Sequence, residues 1–285
     1  MPKQITRAEL VGAFGDPIDE NPTGIMQEAG FAAQGLDFRY LSIKVKAGDL
    51  AAALHGLRAM NFRGINCTIP HKVEVLKYLD EVAPDAKLIG AVNTIVNDGG
   101  KLIGHNTDGK GFLRSVQDDA GVDVRGKHVV FLGAGGAARA MSVELALADA
   151  SHITLVNRDA ARGQDLTQLL NRSTNTQAEF VQWQGEYAIP KSCDILVNAT
   201  PVGLYPDVGN LPAVNLLTLR PDLLVCDVIP NPPNTAFLQA AHSAGTRTLD
   251  GLGMLVYQGA AAFKLWTGVD APVDVMRKAL ENVFG

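Results

Sequence analysis

Residues 127–139 read Lys-His-Val-Val-Phe-Leu-Gly-Ala-Gly-Gly-Ala-Ala-Arg, an apolar run that breaks into glycines and then into helix-forming residues. This is the pattern of a β-strand that feeds a tight turn and a helix, the arrangement that receives a pyrophosphate. Gly133 permits the turn, Gly135 and Gly136 after Ala134 let the backbone approach phosphate, and Ala137 and Ala138 let the helix pack close to the sheet. The helix N-terminus then meets the phosphates with unpaired N–H groups and a partial positive charge. The spacing departs from G-x-G-x-x-G, so the turn alone also fits a glycine-rich connection without a ligand.

About twenty positions further on, where such folds read the adenosine ribose, a second strand ends in polar residues. It is His152-Ile-Thr-Leu-Val-Asn-Arg-Asp. Asn157 is placed to bond a ribose hydroxyl, and Arg158 and Arg162 suit a 2′-phosphate through planar, permanently charged forks. Asp159 pulls the other way, since a carboxylate accepts from a free 2′-OH and repels a phosphate. Both NADP and NAD therefore stay open.

At 285 residues the chain exceeds the usual single-domain size, so two domains are expected. Its 47% hydrophobic and 19% charged residues are those of an ordinary globular protein, which excludes a mainly disordered chain. Net charge is −5 with no basic block, so nucleic acid and anionic membrane are poor partners and small molecules good ones. The first ten residues lack the apolar core of a signal peptide, and no stretch is long enough to cross a bilayer. A cytoplasmic protein is expected. Cys67, Cys193 and Cys226 are odd in number and have no paired spacing, which argues against a disulfide framework or a zinc site, and no metal is expected.

Before the glycine turn, strand-like runs near 10–14, 38–45 and 63–69 alternate with helical patterns near 23–35, 48–60 and 71–79, the rhythm of an α/β layer. After it come strand-like runs at 152–156, 194–198, 222–228 and 246–249 with helices between, completing a doubly wound nucleotide domain. Gly-Leu-Gly at 251–253 opens a long apolar helix to about 267, and another helix follows Pro272. With no strand to follow, these two helices are expected to return to the first domain. The division is then 1–108 plus 252–285 for substrate and catalysis, with 109–251 inserted as a Rossmann-type NAD(P) domain.

The conspicuous polar residues of the first domain lie in loops. Asn66-Cys-Thr-Ile-Pro-His-Lys72 follows a strand and puts Lys72 at the start of a helix. Cations are disfavoured there by up to about 1 kcal/mol, so a role beyond helix stability is indicated. Gly90-Ala-Val-Asn-Thr and Gly104-His-Asn-Thr-Asp-Gly are the other polar loops, and Asp108 ends the second. Beside a nicotinamide, Lys72 and Asp108 make a proton-transfer pair, the lysine exchanging the alcohol proton and the carboxylate orienting lysine and hydroxyl. A surface ion pair for Lys72 and a helix N-cap for Asp108 are the structural alternatives.

Taken together these residues resemble the shikimate dehydrogenase family over essentially the whole chain. Gly15-Asp-Pro-Ile, Asn66-Cys-Thr-Ile-Pro-His-Lys, Gly90-Ala-Val-Asn-Thr, Asn106-Thr-Asp-Gly, Gly133-Ala-Gly-Gly-Ala, Asn157-Arg, Asn198-Ala-Thr-Pro-Val-Gly and Asp250-Gly-Leu-Gly-Met-Leu-Val-Tyr-Gln match its motifs in order. The resemblance implies that Lys72 and Asp108 are catalytic and that Thr68, Asn93 and Gln258 bind ring hydroxyls. It also implies that the glycine loop, Asn157, Arg158 and Arg162, with Thr200, Val228, Gly251 and Met254, hold the cofactor. Two α/β domains separated by a cleft follow, as does reversible hydride transfer between nicotinamide and a ring hydroxyl or ketone of shikimate, quinate or a related compound. Aromatic amino acid biosynthesis or quinate metabolism is the implied setting, in a monomer or homodimer.

Two departures fall at one end of the implied pocket. Family members carry Ser-Lys-Ser-Pro shortly after Gly-x-Pro-Ile, and the two serines bind the substrate carboxylate; here the segment is Asp19-Glu-Asn-Pro-Thr. Pro22 matches the family proline, Asn21 replaces the second serine and Thr23 is nearby, leaving Asn21 and Thr23 as substrate candidates. The family tyrosine that reaches toward the carboxylate is Pro230 here, with neither hydroxyl nor N–H. An altered acid group, an amino- or otherwise substituted ring, or a substrate without the carboxylate is the reading of these coupled losses. A weakly catalytic nucleotide sensor is the rival from another class, and the retained Lys72 and Asp108 count against it.

Overall fold

In the computed structural model residues 7–284 are described; residues 1–6, which contain the start of the segment read above as lacking a leader, and residue 285 lie outside them. The chain divides into two compact units, one of Met1–Thr107 with Val256–Val283 and the other of Asp108–Leu255. The first holds β1 (Glu9–Gly15), α1 (Thr23–Ala33), β2 (Phe38–Lys44), α2 (Leu50–Ala59), β3 (Gly64–Cys67), α3 (His71–Glu74), β4 (Glu81–Val82), α4 (Pro84–Ile89), β5 (Thr94–Asp98) and β6 (Lys101–His105). The second holds α5 (Asp108–Asp118), β7 (His128–Leu132), α6 (Gly136–Leu147), β8 (His152–Asn157), α7 (Ala160–Ser173), β9 (Gln177–Gln182), β10 (Ile195–Asn198), β11 (Leu224–Asp227), α8 (Ala236–Ser243) and β12 (Arg247–Leu249). Two helices close the chain, α9 (Gly251–Thr267) and α10 (Val273–Phe284). Among the described residues no helix is long and apolar enough to cross a membrane.

The sheet of the first unit runs β2-β1-β3-β5-β6-β4 and is mixed. β1 lies parallel to β2 and β3, whereas β5 runs antiparallel to β3 and pairs with β6 as a hairpin. Gly99 and Gly100 at its tip both take left-handed backbone, the turn whose twist matches the strands. One face of the sheet is covered by Leu50, Leu54 and Leu57 of α2, packed with Phe14, Phe62 and Ile65. The other is covered by α9, whose Phe263 and Trp266 join Val11, Phe31, Phe38 and Tyr40. Phe31 stacks between Phe38 and Phe263 at 5.2 and 5.1 Å, and the Trp266 Nε1–H donates to the Ile95 carbonyl at 3.0 Å. The helix expected over 71–79 is cut short. The Lys72 carbonyl accepts from Val92 N–H at 2.7 Å, and after Glu74 the chain tightens into a 3-10 turn at Val75–Tyr78.

The second unit has a six-stranded sheet in the order β12-β11-β10-β7-β8-β9, parallel throughout. Strand order reverses between β7 and β10, where ligands of such sheets gather at the carboxyl ends. All five residues of β7 are buried, as a parallel central strand requires. Helices do not fill every connection, contrary to the expectation. β10 leads to β11 through an irregular segment with only a 3-10 turn at Leu216–Thr218, where Pro201, Pro206, Pro212 and Pro221 preclude helix. The return to the first unit falls at Val256, inside α9 and not at its start. The first turn of that helix packs in the second unit, where a Cβ on Gly251 would lie 2.6 Å from the Ile229 carbonyl.

Candidate active site

In the first unit three polar loops meet at Asn93. Its backbone carbonyl accepts from Cys67 N (2.8 Å) and Asn66 Nδ2 (3.1 Å), and its backbone N donates to the His105 carbonyl (3.1 Å). Its side-chain Oδ1 accepts from Thr107 N (2.8 Å) and Thr94 Oγ1 (3.1 Å), and its Nδ2 donates to Thr107 Oγ1 (2.9 Å). Asn66 is held in turn by Tyr40, whose hydroxyl donates to its Oδ1 at 2.9 Å. Asn93 thus ties the loop after β3, which carries Thr68 and Lys72, to the segment ending at Thr107, directly before Asp108. Thr68 N donates to the Phe14 carbonyl, and buried His71 is anchored by Nε2 to the Val45 carbonyl at 2.7 Å, so Lys72 stands on a fixed turn. Cys67 behind it is a neutral thiol, pushed up to about 12 by burial although Lys72 acts to lower it.

The segment after β1 borders the same loop. A Cβ on Gly15 would lie 2.5 Å from Thr68 Cγ2, and Asp16 N donates to the Ile69 carbonyl. Here Asn21 Oδ1 accepts from Thr23 N at 2.9 Å, so the side chain that replaces a family serine is turned back onto the first N–H of α1. Thr23 is buried, Asp19 and Glu20 are exposed, and Lys44 is paired with Asp16 at 3.3 Å. Gln27 on α1 donates from Nε2 to the Gly259 carbonyl of α9, one residue beyond the buried Gln258.

In the second unit a cavity of about 450 Å³ opens where the strand order reverses, lined by Gly133, Ala134 and Gly135 after β7 and by Ala199 and Thr200 after β10. Gly133 has φ +103°, and a Cβ there would press on the Ala199 carbonyl and Thr200 at 3.1 Å. A Cβ on Gly135 or Gly136 would meet nothing within 4 Å, and no side chain caps α6. These residues fit a dinucleotide pyrophosphate at an open helix N-terminus. Ala137 is exposed; Ala138 and Ala140 are the small residues that face inward, which corrects the expectation for Ala137. Asn157 accepts from Ala134 N at 3.2 Å and donates to the Asp159 carbonyl at 2.8 Å, clamping the glycine turn to the loop after β8.

Arg158 and Arg162 line the cavity. Asp159 does not: it is the N-cap of α7, accepting from Arg162 N at 3.2 Å, and its carboxylate pairs with Arg162 Nε at 3.3 Å. Val228, Gly251 and Met254 also lie outside that lining, at the carboxyl ends of β11 and β12 and on α9. Trp183, Pro201, Val202, Leu211 and Pro212 line it and were not expected. Trp183 directly follows β9, Gln177–Gln182, an edge strand in which half of the residues are polar, so a lone large aromatic is the one signal that the sequence offers there.

Asp227 at the end of β11 is buried and holds the wall behind Thr200. It accepts from Thr235 Oγ1 (2.8 Å), Asn198 Nδ2 (3.1 Å) and Ile229 N (3.2 Å), while Asn198 Oδ1 accepts from Thr200 Oγ1 at 2.7 Å. Burial outweighs these bonds and raises its pKa to about 6. Cys193 and Cys226 are also buried free thiols whose pKa is raised by desolvation.

Known proteins share this architecture. A model of the shikimate dehydrogenase substrate binding domain matches residues 13–95, and one of the shikimate 5′-dehydrogenase C-terminal domain matches residues 251–281. The chain is 43% identical over 279 residues to the NADP(+) shikimate dehydrogenase of Desulforamulus reducens, covering 97% of this chain and 96% of that one. The ligand-free 5-ketofructose reductase of Gluconobacter sp. strain CHM43 is 50% identical with a TM-score of 0.95, covering 98% of this chain and 100% of that one. Shikimate 5-dehydrogenase from Listeria monocytogenes, solved with shikimate and NAD, is 37% identical with a TM-score of 0.90 and 98% of each chain covered.

The raised pKa of Asp227 carries a definite sign. Its protonated form is favoured in the folded state, so its stabilising contribution is full below the unfolded value of 3.8 and is lost as pH rises through about 6. Denaturant melts of the protein and of Asp227→Asn should therefore show their stability difference shifting by roughly 2–3 kcal/mol against the aspartate between those pH values. Parallel curves would contradict the assignment.

Proposed function

Since the chain belongs to the shikimate dehydrogenase family, we propose that it is an NAD(P)-dependent oxidoreductase that interconverts a hydroxyl and a ketone on a polyhydroxylated substrate without a carboxylate, and that it prefers NADP(H). The observation that carries the substrate reading is the segment before α1, where the serines of the family are absent: Asn21, in place of the second, is turned by its Oδ1 onto Thr23 N and offers only its Nδ2, and Asp19 and Glu20 are exposed. The resemblance implies two serines and a tyrosine that bind a carboxylate, and here the first serine has no hydroxyl counterpart and the tyrosine is Pro230. Each missing hydrogen bond to a charged group costs about 1.5–3 kcal/mol, so two losses weaken shikimate binding roughly a hundredfold or more. A ketose such as 5-ketofructose, named for the relative at 50% identity, has no carboxylate to place.

When bound, the nicotinamide supplies or accepts the hydride. Lys72 gives the proton to the carbonyl oxygen in reduction and receives it in oxidation, and Asp108 orients the lysine and the hydroxyl. Thr68, Asn93 and Gln258 bind the neighbouring hydroxyls, a task indifferent to whether the ring carries an acid. Arg158 and Arg162 receive the 2′-phosphate of NADP. Asp159, committed to the α7 N-terminus and to Arg162, opposes this less than a free carboxylate at that position.

Lys72→Met and Asp108→Asn should each lower turnover by about two orders of magnitude or more with cofactor affinity barely changed. Near wild-type turnover in Lys72→Met would refute the assigned proton transfer. Steady-state kinetics with 5-ketofructose, shikimate and quinate, each with both cofactors, test the substrate reading. The Michaelis constant for shikimate should exceed that for 5-ketofructose by about a hundredfold or more, with NADP(H) the better cofactor. Tight, fast use of shikimate would mean that Asn21, Thr23 or another residue anchors the acid.

A further inference from the structure

The sheet of the second unit carries a second cluster of chemistry at the end away from the glycine turn. His128 and His152 are the first residues of β7 and β8 and lie side by side in parallel register, with Thr154 beside Glu179 in the β8–β9 ladder. Alternation along the strands puts all four side chains on one face of the sheet. The two imidazole centroids are 4.3 Å apart, and one nitrogen of each ring and one carboxylate oxygen of Glu179 lie within 4.8 Å of one another. Nε2 of His152 is buried and makes no hydrogen bond, although it lies 3.4 Å from Glu179 Oε1.

We infer that His128, His152 and Glu179 form a binding site for a divalent transition-metal ion of the zinc type. Two imidazoles and a carboxylate are a ligand set that zinc accepts, with water completing a tetrahedron. Bonds of about 2.0–2.2 Å place tetrahedral ligand atoms roughly 3.3–3.5 Å apart, so the side chains close on the ion by about 1 Å. His128 is already braced: Ser192 Oγ lies 3.0 Å from Nδ1 and Thr154 Oγ1 2.8 Å from Nε2. Whichever nitrogen meets the ion, the other keeps a hydroxyl that fixes the ring. Asp194, whose carboxylate accepts from His128 N at 2.8 Å and pairs with Lys127 Nζ at 3.3 Å, holds the backbone of His128.

The five residues of β7 separate this cluster from Gly133 by about 16 Å, so the ion takes no part in proton transfer at the cavity. Its effect is to tie the edge strand β9 to β8 and β7. Chelator-treated protein is titrated with Co²⁺ and with Zn²⁺. One equivalent of Co²⁺ should produce a visible d–d band without a thiolate charge-transfer band, and Zn²⁺ should raise Tm. His152→Ala and Glu179→Gln should each weaken binding by about tenfold or more, while keeping wild-type turnover as the check that they fold. Absence of stoichiometric binding, a thiolate band, or affinity unchanged in His152→Ala would overturn the site.

Discussion

The carbonyl and amide of one buried residue, Asn93, hold three loops of the first unit in register. Through Cys67 and Asn66 it fixes the end of β3, through His105 and Thr107 it fixes the exit from β6, and through Thr94 it fixes its own strand. Buried polar groups left unpaired cost about 1–3 kcal/mol each, so this set is stable only when complete. Lys72, Thr68 and the backbone entering Asp108 inherit their positions from it. The proton transfer proposed for Lys72 relies on the turn beneath it, which these bonds hold.

The second unit solves a comparable problem with polar clamps at its carboxyl edge. Gly133 must approach Ala199 closely, and Asn157 then holds Ala134 from the neighbouring loop. On the other side Asp227 orients Asn198, which orients Thr200. Proline-rich chain replaces helix between β10 and β11, so these side-chain bonds supply the order that a packed helix supplies elsewhere.

Local signals in the sequence were read well where one residue type has one physical use. The glycine turn announced itself because only glycine takes the left-handed backbone of Gly133. Lys72 stood out because a cation at a helix start is against its electrostatics. Features that depend on pairing between strands were not legible. The mixed sheet made by β5 and β6, the edge strand β9 with Trp183, and the meeting of His128, His152 and Glu179 all require a register that linear order does not state. Asn157, expected to bond a ribose hydroxyl, lines the cavity, and its amide also bonds the loops on either side, which linear order does not show. The helix expected over 71–79 failed for the same kind of reason, since Val92 takes the Lys72 carbonyl.

The segment before α1 is, with Pro230, where this chain parts from the resemblance that otherwise covers it. The resemblance implies two serines that bind a carboxylate; here the segment reads Asp19-Glu-Asn-Pro-Thr, with Asn21 in place of the second serine and its Oδ1 bonded to the start of α1. On the proposed reading the lost donors count most against a charged acid, because hydrogen bonds to a charged group are worth more than those to a neutral one. The most direct test compares shikimate with its carboxamide, which keeps ring and hydroxyls and removes only the charge. A neutral-substrate site gives the carboxamide the higher kcat/KM; a site that still anchors the acid gives shikimate the advantage by tenfold or more, and that result would contradict the account.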